Sequence, residues 1–397
     1  MMDTRAAAAT GCVLGPVLLS AALAASASVE AADERGRSAT SHRFDLVRIA
    51  APTDALTFAR VDVEGRQRTI AVNRFEAGVV HGLDLSLLFE RPIEDPISLF
   101  LAEGYDGILA RITSAPGTPI VSVPADRLTI PVDLGEHHIA AGTNYPEHAG
   151  EADVTEGPFL FPKVVRPTAA QTQVSAGDGL LDYEAELAFV TLQPIERGGV
   201  PSAIGVILCN DYTDRATLLR NVDVHDVTSG KGFTTGKSFP GYLPVGNLFV
   251  IPRDVRAFAA AIELRLWVND AERQRSMVSA AVWNIDELIA RTWDRSDVTW
   301  DHRGQHVRLI DDPRIIPERT LILSGTPAGT VFQGVGVRDK IAGLRDWLFG
   351  GWAMPLPAHV IEAYIRQASR RRAYLQPRDR VVVHVDFVGV IVNEITR

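Results

Sequence analysis

The stretch Asp182-Tyr183-Glu184-Ala185-Glu186-Leu187-Ala188-Phe189-Val190 constrains the fold more than any other. Its apolar, branched second half reads as a buried strand. Residues two apart on a strand point to the same face, so Glu184 and Glu186 project side by side against an apolar run. Neighbouring buried carboxylates repel one another, and each loses its hydration. A divalent cation removes both costs, and hard cations such as Mg2+, Mn2+ or Ca2+ prefer carboxylate oxygen. The alternative is a solvent-facing edge strand whose acids keep it soluble.

The chain has 397 residues, enough for one large domain or two. Its formal net charge of -9 excludes a general nucleic-acid binder, which needs a basic face. The two cysteines, Cys12 and Cys209, build neither a disulfide framework nor a cysteine-rich zinc site. Near the start, Arg5 precedes an uncharged run rich in Ala, Leu, Val and Gly, with small residues at Ala25-Ser26-Ala27 and Val29-Glu30-Ala31. This predicts a secretory signal peptide over 1–31 and a periplasmic or secreted protein. An uncleaved membrane anchor is the alternative. Residues 32–42 are polar and charged and predict a linker.

Short strand-like runs at 57–63 and 69–72, with a helical pattern at 92–110, predict a small α+β N-terminal domain over 43–134. Beyond it, strand-like runs at 180–191, 203–209, 261–268, 320–324 and 381–392 outnumber the helical patterns at 214–220 and 278–291. That predicts a β-rich α+β fold rather than a doubly wound one. Residues 337–373 stand apart as a helical hairpin, packed on the body or on a partner subunit, with a membrane-surface contact as the alternative.

Four further stretches carry chemistry. Asp211 follows the apolar run 204–209, where it serves as a third cation ligand or as a helix N-cap. Arg215 lies four residues on, within reach of an anionic substrate, or is a plain surface arginine. The segment Gly230-Lys231-Gly232-Phe233-Thr234-Thr235-Gly236-Lys237-Ser238 lacks the spacing of a phosphate loop, and Pro240 and Pro244 prevent the helix such a loop opens. Lys237 reads as a loop lysine facing the site, where it would stabilise an enolate or oxyanion. Pro146 suits a first helical position, which puts His148 and Glu151 on one face. An imidazole oriented by a carboxylate is a general base; an ordinary surface helix is the plainer reading. Finally, the backbone of Ser324-Gly325-Thr326-Pro327-Ala328-Gly329-Thr330 and the Thr326 hydroxyl would receive a substrate carboxylate, or form a simple turn.

Taken together these stretches resemble the fumarylacetoacetate hydrolase family. They run Gly142-Thr143-Asn144-Tyr145 with His148 and Glu151, Phe161-Pro162-Lys163, Asp182 to Ala188, and Asn210-Asp211-Tyr212-Thr213-Asp214-Arg215. Gly236-Lys237-Ser238-Phe239, Ser324 to Gly329, and Leu375-Gln376-Pro377-Arg378-Asp379 complete the order. The resemblance implies a fumarylacetoacetate hydrolase-like catalytic domain over 135–397, with 337–373 inserted. It implies a divalent cation on Glu184, Glu186 and Asp211, Lys237 at the reacting carbonyl, and a His148–Glu151 pair activating water under a lid. It places Tyr145, Arg215 and Thr326 at the substrate, and it implies a homodimer. Family members cleave, decarboxylate, hydrate or isomerise 2-oxo or 1,3-dioxo acids. Two positions depart from the family's pattern: Ala216 replaces the usual acid and Leu218 the usual glutamine, which bears on substrate identity.

The expected activity is metal-dependent hydrolysis of a carbon–carbon bond in a 1,3-dioxo acid of the acylpyruvate or fumarylacetoacetate type. Alternatives on the same site are a decarboxylase, hydratase or isomerase of 2-oxo acids, or a non-catalytic secreted protein that binds 2-oxo acids.

Overall fold

The strand Ala185–Thr191 is buried at every position because it is paired on both edges, with Ile204–Asn210 on one side and Leu321–Leu323 on the other. These three sit inside a ten-stranded sheet. Its order is Ile120–Pro124, Val79–Asp84, Arg66–Glu76, Ala55–Val63, Val245–Pro252, Ile204–Asn210, Ala185–Thr191, Leu321–Leu323, His137–Gly142 and Phe159–Val164. The computed structural model describes residues 46–397 apart from 115–116, 153 and 350–353. The signal peptide and linker expected over 1–42 lie outside the described residues.

A second sheet of five strands runs Ala271–Met277, Glu263–Val268, Arg380–Val385, Gly389–Thr396 and Gln171–Ser175. Leu187, Ile207 and Phe249 from the first sheet share one apolar core with Leu264, Val383 and Ile391 from the second. The fold is α+β and rich in strands, as the sequence predicts.

A small domain of its own was expected over 43–134; from residue 46 on, that segment is not separate from the rest. Leu46–Arg397 is one compact unit. The cause is strand pairing: Ala55, Leu56, Thr57 and Phe58 pair with Pro252, Ile251, Val250 and Phe249, so the N-terminal strands extend the central sheet. Asp95 adds a second tie. It caps the helix Pro96–Thr113 by accepting from the Ser98 amide at 2.9 Å, and it meets Arg319 at 2.8 Å.

Topology places the candidate residues at one end of the central strands. Ile204–Asn210 is antiparallel to Ala185–Thr191, with Cys209 opposite Glu186. One strand therefore begins where the other ends, and Asp211 arrives beside Glu184. Leu321–Leu323 ends at the same edge, with Leu323 opposite Ala188. His137–Gly142 is parallel to Leu321–Leu323, so the turn that follows it joins them.

The inserted hairpin consists of Val337–Phe349 and Leu356–Arg371. Gly343 lets the two helices close, because a Cβ there would sit 2.4 Å from the Val360 Cα. Ile361, Ile365 and Ala368 pack with Ala216 and Leu219 of the helix Arg215–Asn221, and Arg220 pairs with Glu362 at 2.6 Å. The hairpin thus packs on the body. The first helix leaves Val337, Ile341, Leu344 and Leu348 exposed. Among the described residues, no helix is long and apolar enough to cross a membrane.

Candidate active site

Glu184, Glu186 and Asp211 are all buried, and one carboxylate oxygen of each lies within 4.8 Å of the others. Glu184 is not in the strand itself. It occupies a break between Leu181–Asp182 and Ala185–Thr191. Hydrogen bonds hold that break open: Asn210 Oδ1 accepts from the Glu184 amide at 2.9 Å, and the Asp211 amide donates to the Glu184 carbonyl at 2.8 Å. Gln274 Oε1 accepts from the Ala185 amide at 3.0 Å. The two glutamates still converge, held together by that break rather than by alternation along one strand.

Three cations surround the acids. Lys237 Nζ is 2.7 Å from Glu184 Oε2 and 2.8 Å from Asp211 Oδ2. Arg215 bridges Glu184 Oε1 at 2.6 Å and Asp182 Oδ2 at 2.9 Å. Lys163 Nζ lies 2.5 Å from Asp211 Oδ1. Lys163 lies in the Phe161-Pro162-Lys163 stretch without an expected role; the signal for one is a lysine inside an otherwise apolar strand. Lys237 was expected on a loop and is instead the last residue of a short helix, Phe233–Lys237. Gly236 makes this possible, because any Cβ there would lie 2.7 Å from the Leu218 Cβ.

Opposite forces act on the two glutamates. Burial pushes the Glu184 carboxyl up, but Lys237 and Arg215 outweigh it and hold it at about 2. For Glu186, burial and then the charges of Asp211 and Glu184 push the carboxyl well above its ordinary value. Glu186 Oε2 accepts from the Gly325 amide at 2.8 Å, whereas Oε1 is buried without a hydrogen-bond partner. A buried, unpartnered carboxylate oxygen beside two further carboxylates fits a hard divalent cation.

His148 and Glu151 lie on the short helix Pro146–Glu151. His148 Nδ1 faces Glu151 Oε2 at 3.6 Å, too far for a hydrogen bond, and is buried without a hydrogen-bond partner. The Gly329 amide donates to both Glu151 oxygens, at 3.2 and 3.0 Å. Burial pushes the Glu151 carboxyl up, but His148 and the Gly329 amide outweigh it and hold it below its ordinary value. Asn144 fixes the start of this segment by donating to the carbonyls of Ser324 at 2.8 Å and Trp283 at 3.0 Å. Thr143 is held at a φ of 52°. For a β-branched residue that is local strain of the kind found at functional sites.

A cavity of about 250 Å³ opens on His148, Glu184, Arg215, Lys237 and Thr326. Of the three residues expected at the substrate, one lies off the cavity wall and two are engaged by other groups. Tyr145 is buried and absent from the cavity wall; burial and the nearby Glu186 charge push its phenol up. Arg215 reaches the wall, but its guanidinium is committed to Asp182 and Glu184. The Thr326 hydroxyl donates to the Ala185 carbonyl at 3.1 Å and accepts from Gln274 Nε2 at 2.8 Å. The turn expected to receive a substrate carboxylate therefore holds the site's own acids, through the Gly325 and Gly329 amides.

This β-rich body sets a cavity, lined by His148, Glu184 and Lys237, against a cluster of three buried carboxylates, which defines a small-molecule site. The family model for the fumarylacetoacetate (FAA) hydrolase C-terminal region matches residues 137–396, and the chain belongs to that family. It is similar to a mitochondrial oxaloacetate tautomerase of Oryza sativa, with 27% identity over 222 residues, 52% of this chain and 87% of that protein. An uncharacterized protein of Staphylococcus epidermidis is 24% identical over 276 residues, 67% of this chain and 71% of the relative. Among solved structures, fumarylacetoacetate hydrolase from Exiguobacterium antarcticum matches with a TM-score of 0.52 and 18% identity, covering 86% of this chain and 99% of that one. A 2-hydroxyhepta-2,4-diene-1,7-dioate isomerase from Mycobacterium marinum matches with a TM-score of 0.51 and 18% identity, covering 86% and 98%. These likenesses show a shared fold. The family contains both hydrolases and isomerases of small molecules.

Proposed function

We propose that this chain is a divalent-cation-dependent hydrolase that cleaves a carbon–carbon bond in a 1,3-dioxo acid of the acylpyruvate or fumarylacetoacetate type. The observation that carries this reading is the His148 imidazole, which faces Glu151 at 3.6 Å and lines the same cavity as Glu184 of the three-acid cluster. Isomerisation and tautomerisation require proton transfer but no nucleophile, whereas a general base beside a cation site is what water activation needs.

Glu184, Glu186 and Asp211 would hold the cation, Mg2+ or Mn2+, with Ca2+ as a further candidate. Bound there, it supplies Lewis-acid polarisation of a 2-oxo acid. His148, oriented through Nδ1 by Glu151, takes a proton from water at its other nitrogen, and the water oxygen bonds to the distal carbonyl carbon. Scission of the carbon–carbon bond leaves its electron pair on the 2-oxo acid fragment as an enolate, next to the Lys237 ammonium. The imidazolium then returns its proton to the enolate carbon. The products are a carboxylic acid and a 2-oxo acid. In this scheme Arg215 and Lys163 are positioning residues that hold Glu184 and Asp211.

A second reading keeps the site but changes the reaction to tautomerisation or decarboxylation of a 2-oxo diacid; the likeness to the rice tautomerase favours it. Product analysis separates the two. Acylpyruvate should yield free carboxylic acid and pyruvate, and His148→Ala should abolish this while cation binding persists. Unchanged cleavage by the variant would overturn the water-activation scheme. We also propose an exported homodimer whose leader is removed near residue 31. The intact mass of the mature chain and light scattering test those two points.

A further inference from the structure

The cavity has two unlike halves. Its inner half carries His148, Glu184, Lys237 and Thr326, all buried. Its outer wall is built from Leu218, Leu219, Val222, Val224, Val227 and Phe332, and Val224 is 44% exposed where the wall meets solvent. Among the described lining residues, the charged groups beyond these are Arg215, committed to Asp182 and Glu184, and Lys340. Lys340 sits exposed on the hairpin's first helix, where a lysine stem covers apolar surface while the ammonium stays in water.

The helix Arg215–Asn221 supplies Leu218 and Leu219 to this wall and ends at Val222. Leu218 and Val222 are four residues apart and share a face. Leu218 also packs directly on Gly236, the residue before Lys237, so the wall starts beside the reacting end. Ala216 points elsewhere: it is buried with Ile361 and Ile365 of the hairpin. Both departures from the family's pattern thus have structural partners. The small side chain at 216 admits the hairpin, and the apolar one at 218 faces the cavity.

We infer that the outer half is an apolar acyl subsite, so that the substrate's distal substituent is an uncharged hydrocarbon chain rather than a carboxylate, with Leu218 as the specificity-determining residue. The head of that substrate rests on the hydrolase reading above; its tail rests on the wall alone. A distal carboxylate would lose hydration along the six apolar side chains of this wall, where the one uncommitted donor is Lys340 at the solvent edge. Each added methylene would gain from burial.

The test uses the full chain with Mn2+ and straight-chain acylpyruvates from acetyl to octanoyl. Fumarylpyruvate and its neutral methyl ester complete the series. The value of kcat/KM should rise about threefold per methylene until the wall is filled, and the ester should exceed the acid by at least about tenfold. Leu218→Gln should flatten the chain-length slope. Because Leu218 is buried, Val224→Glu at the solvent-exposed rim provides a second variant with the same expected flattening. Calorimetry with saturated straight-chain 2-oxo acids reads the tail without turnover.

A flat or falling slope, or preference for fumarylpyruvate over its ester, overturns the inference and leaves the hydrolase reading standing. Absence of cleavage with affinity that rises with chain length supports the subsite and overturns the hydrolase reading. Absence of both overturns both.

Discussion

Lys163 Nζ lies 2.5 Å from Asp211 Oδ1 and donates to the Lys237 carbonyl at the same distance. One ammonium therefore fixes the third acid of the cluster and the backbone of the lysine beside it. Burial pulls this ammonium below the ordinary lysine value, with Asp211 opposing and Lys237 adding to the pull. Lys163→Met leaves Asp211 short of a partner in a buried setting. It should lower stability by about 3 kcal/mol and reduce kcat/KM by about 10- to 100-fold. Denaturant melts and steady-state kinetics check this; wild-type values in both would show that the pair is dispensable.

Glu186 predicts how cation binding depends on pH. Its carboxyl is raised in the folded chain above the ordinary 4.5, so the folded state holds that proton more tightly than the unfolded state. In the cation-free chain, stability is fully present below the unfolded value and falls as pH rises through the folded one. A bound cation takes the place of the proton. The rise in Tm caused by Mn2+ should therefore grow as pH rises above the ordinary carboxylate range. Glu186→Gln should abolish that growth and make the cation-free chain more stable, by about 1 kcal/mol. A cation effect that shrinks as pH rises would contradict the assignment.

His148 and Glu151 should separate chemistry from binding. His148→Ala should cost about 100- to 10,000-fold in kcat with cation affinity unchanged within about twofold. Glu151→Gln should cost less in kcat, because the amide still accepts from Gly329 but no longer stabilises an imidazolium. Titration calorimetry with Mn2+ alongside kinetics reads both. Equal losses of cation affinity and turnover would place the pair in the cation site instead.

The acids were legible in the sequence because their neighbourhood is local. Glu184 and Glu186 alternate, and Asp211 follows an apolar run whose antiparallel partner begins at Ala185. The engagements of Arg215 and Thr326 were not legible, since their partners come from elsewhere in the chain. Asp182 lies 33 residues from Arg215, and Gln274 lies 52 from Thr326. Lys237 reads as a loop residue because its glycines disfavour a helix; only contact with Leu218 shows why they are there. The N-terminal strands form a pattern of their own in sequence, and nothing local reveals that Phe58 pairs with Phe249.

That N-terminal attachment has its own signature. Burial pushes the Asp95 carboxyl up, but Arg319 and the Ser98 amide outweigh it and hold it below its ordinary value. The stability this gives is present above the unfolded value and is lost as pH falls through the folded one. Asp95→Asn keeps a good N-cap but loses the ion pair. It should destabilise the chain by about 2 kcal/mol at neutral pH, with the difference closing below about pH 3. A deficit independent of pH would indicate lost capping alone.

The most direct test of the central claim is pyruvate release from an acylpyruvate by the purified chain, with Mg2+ or Mn2+ and then with a chelator. Pyruvate and free carboxylic acid should be released, and the chelator should abolish that release and added cation restore it. Cation binding to the Glu184–Glu186–Asp211 cluster in a folded chain, with no release from any acylpyruvate, would contradict that claim.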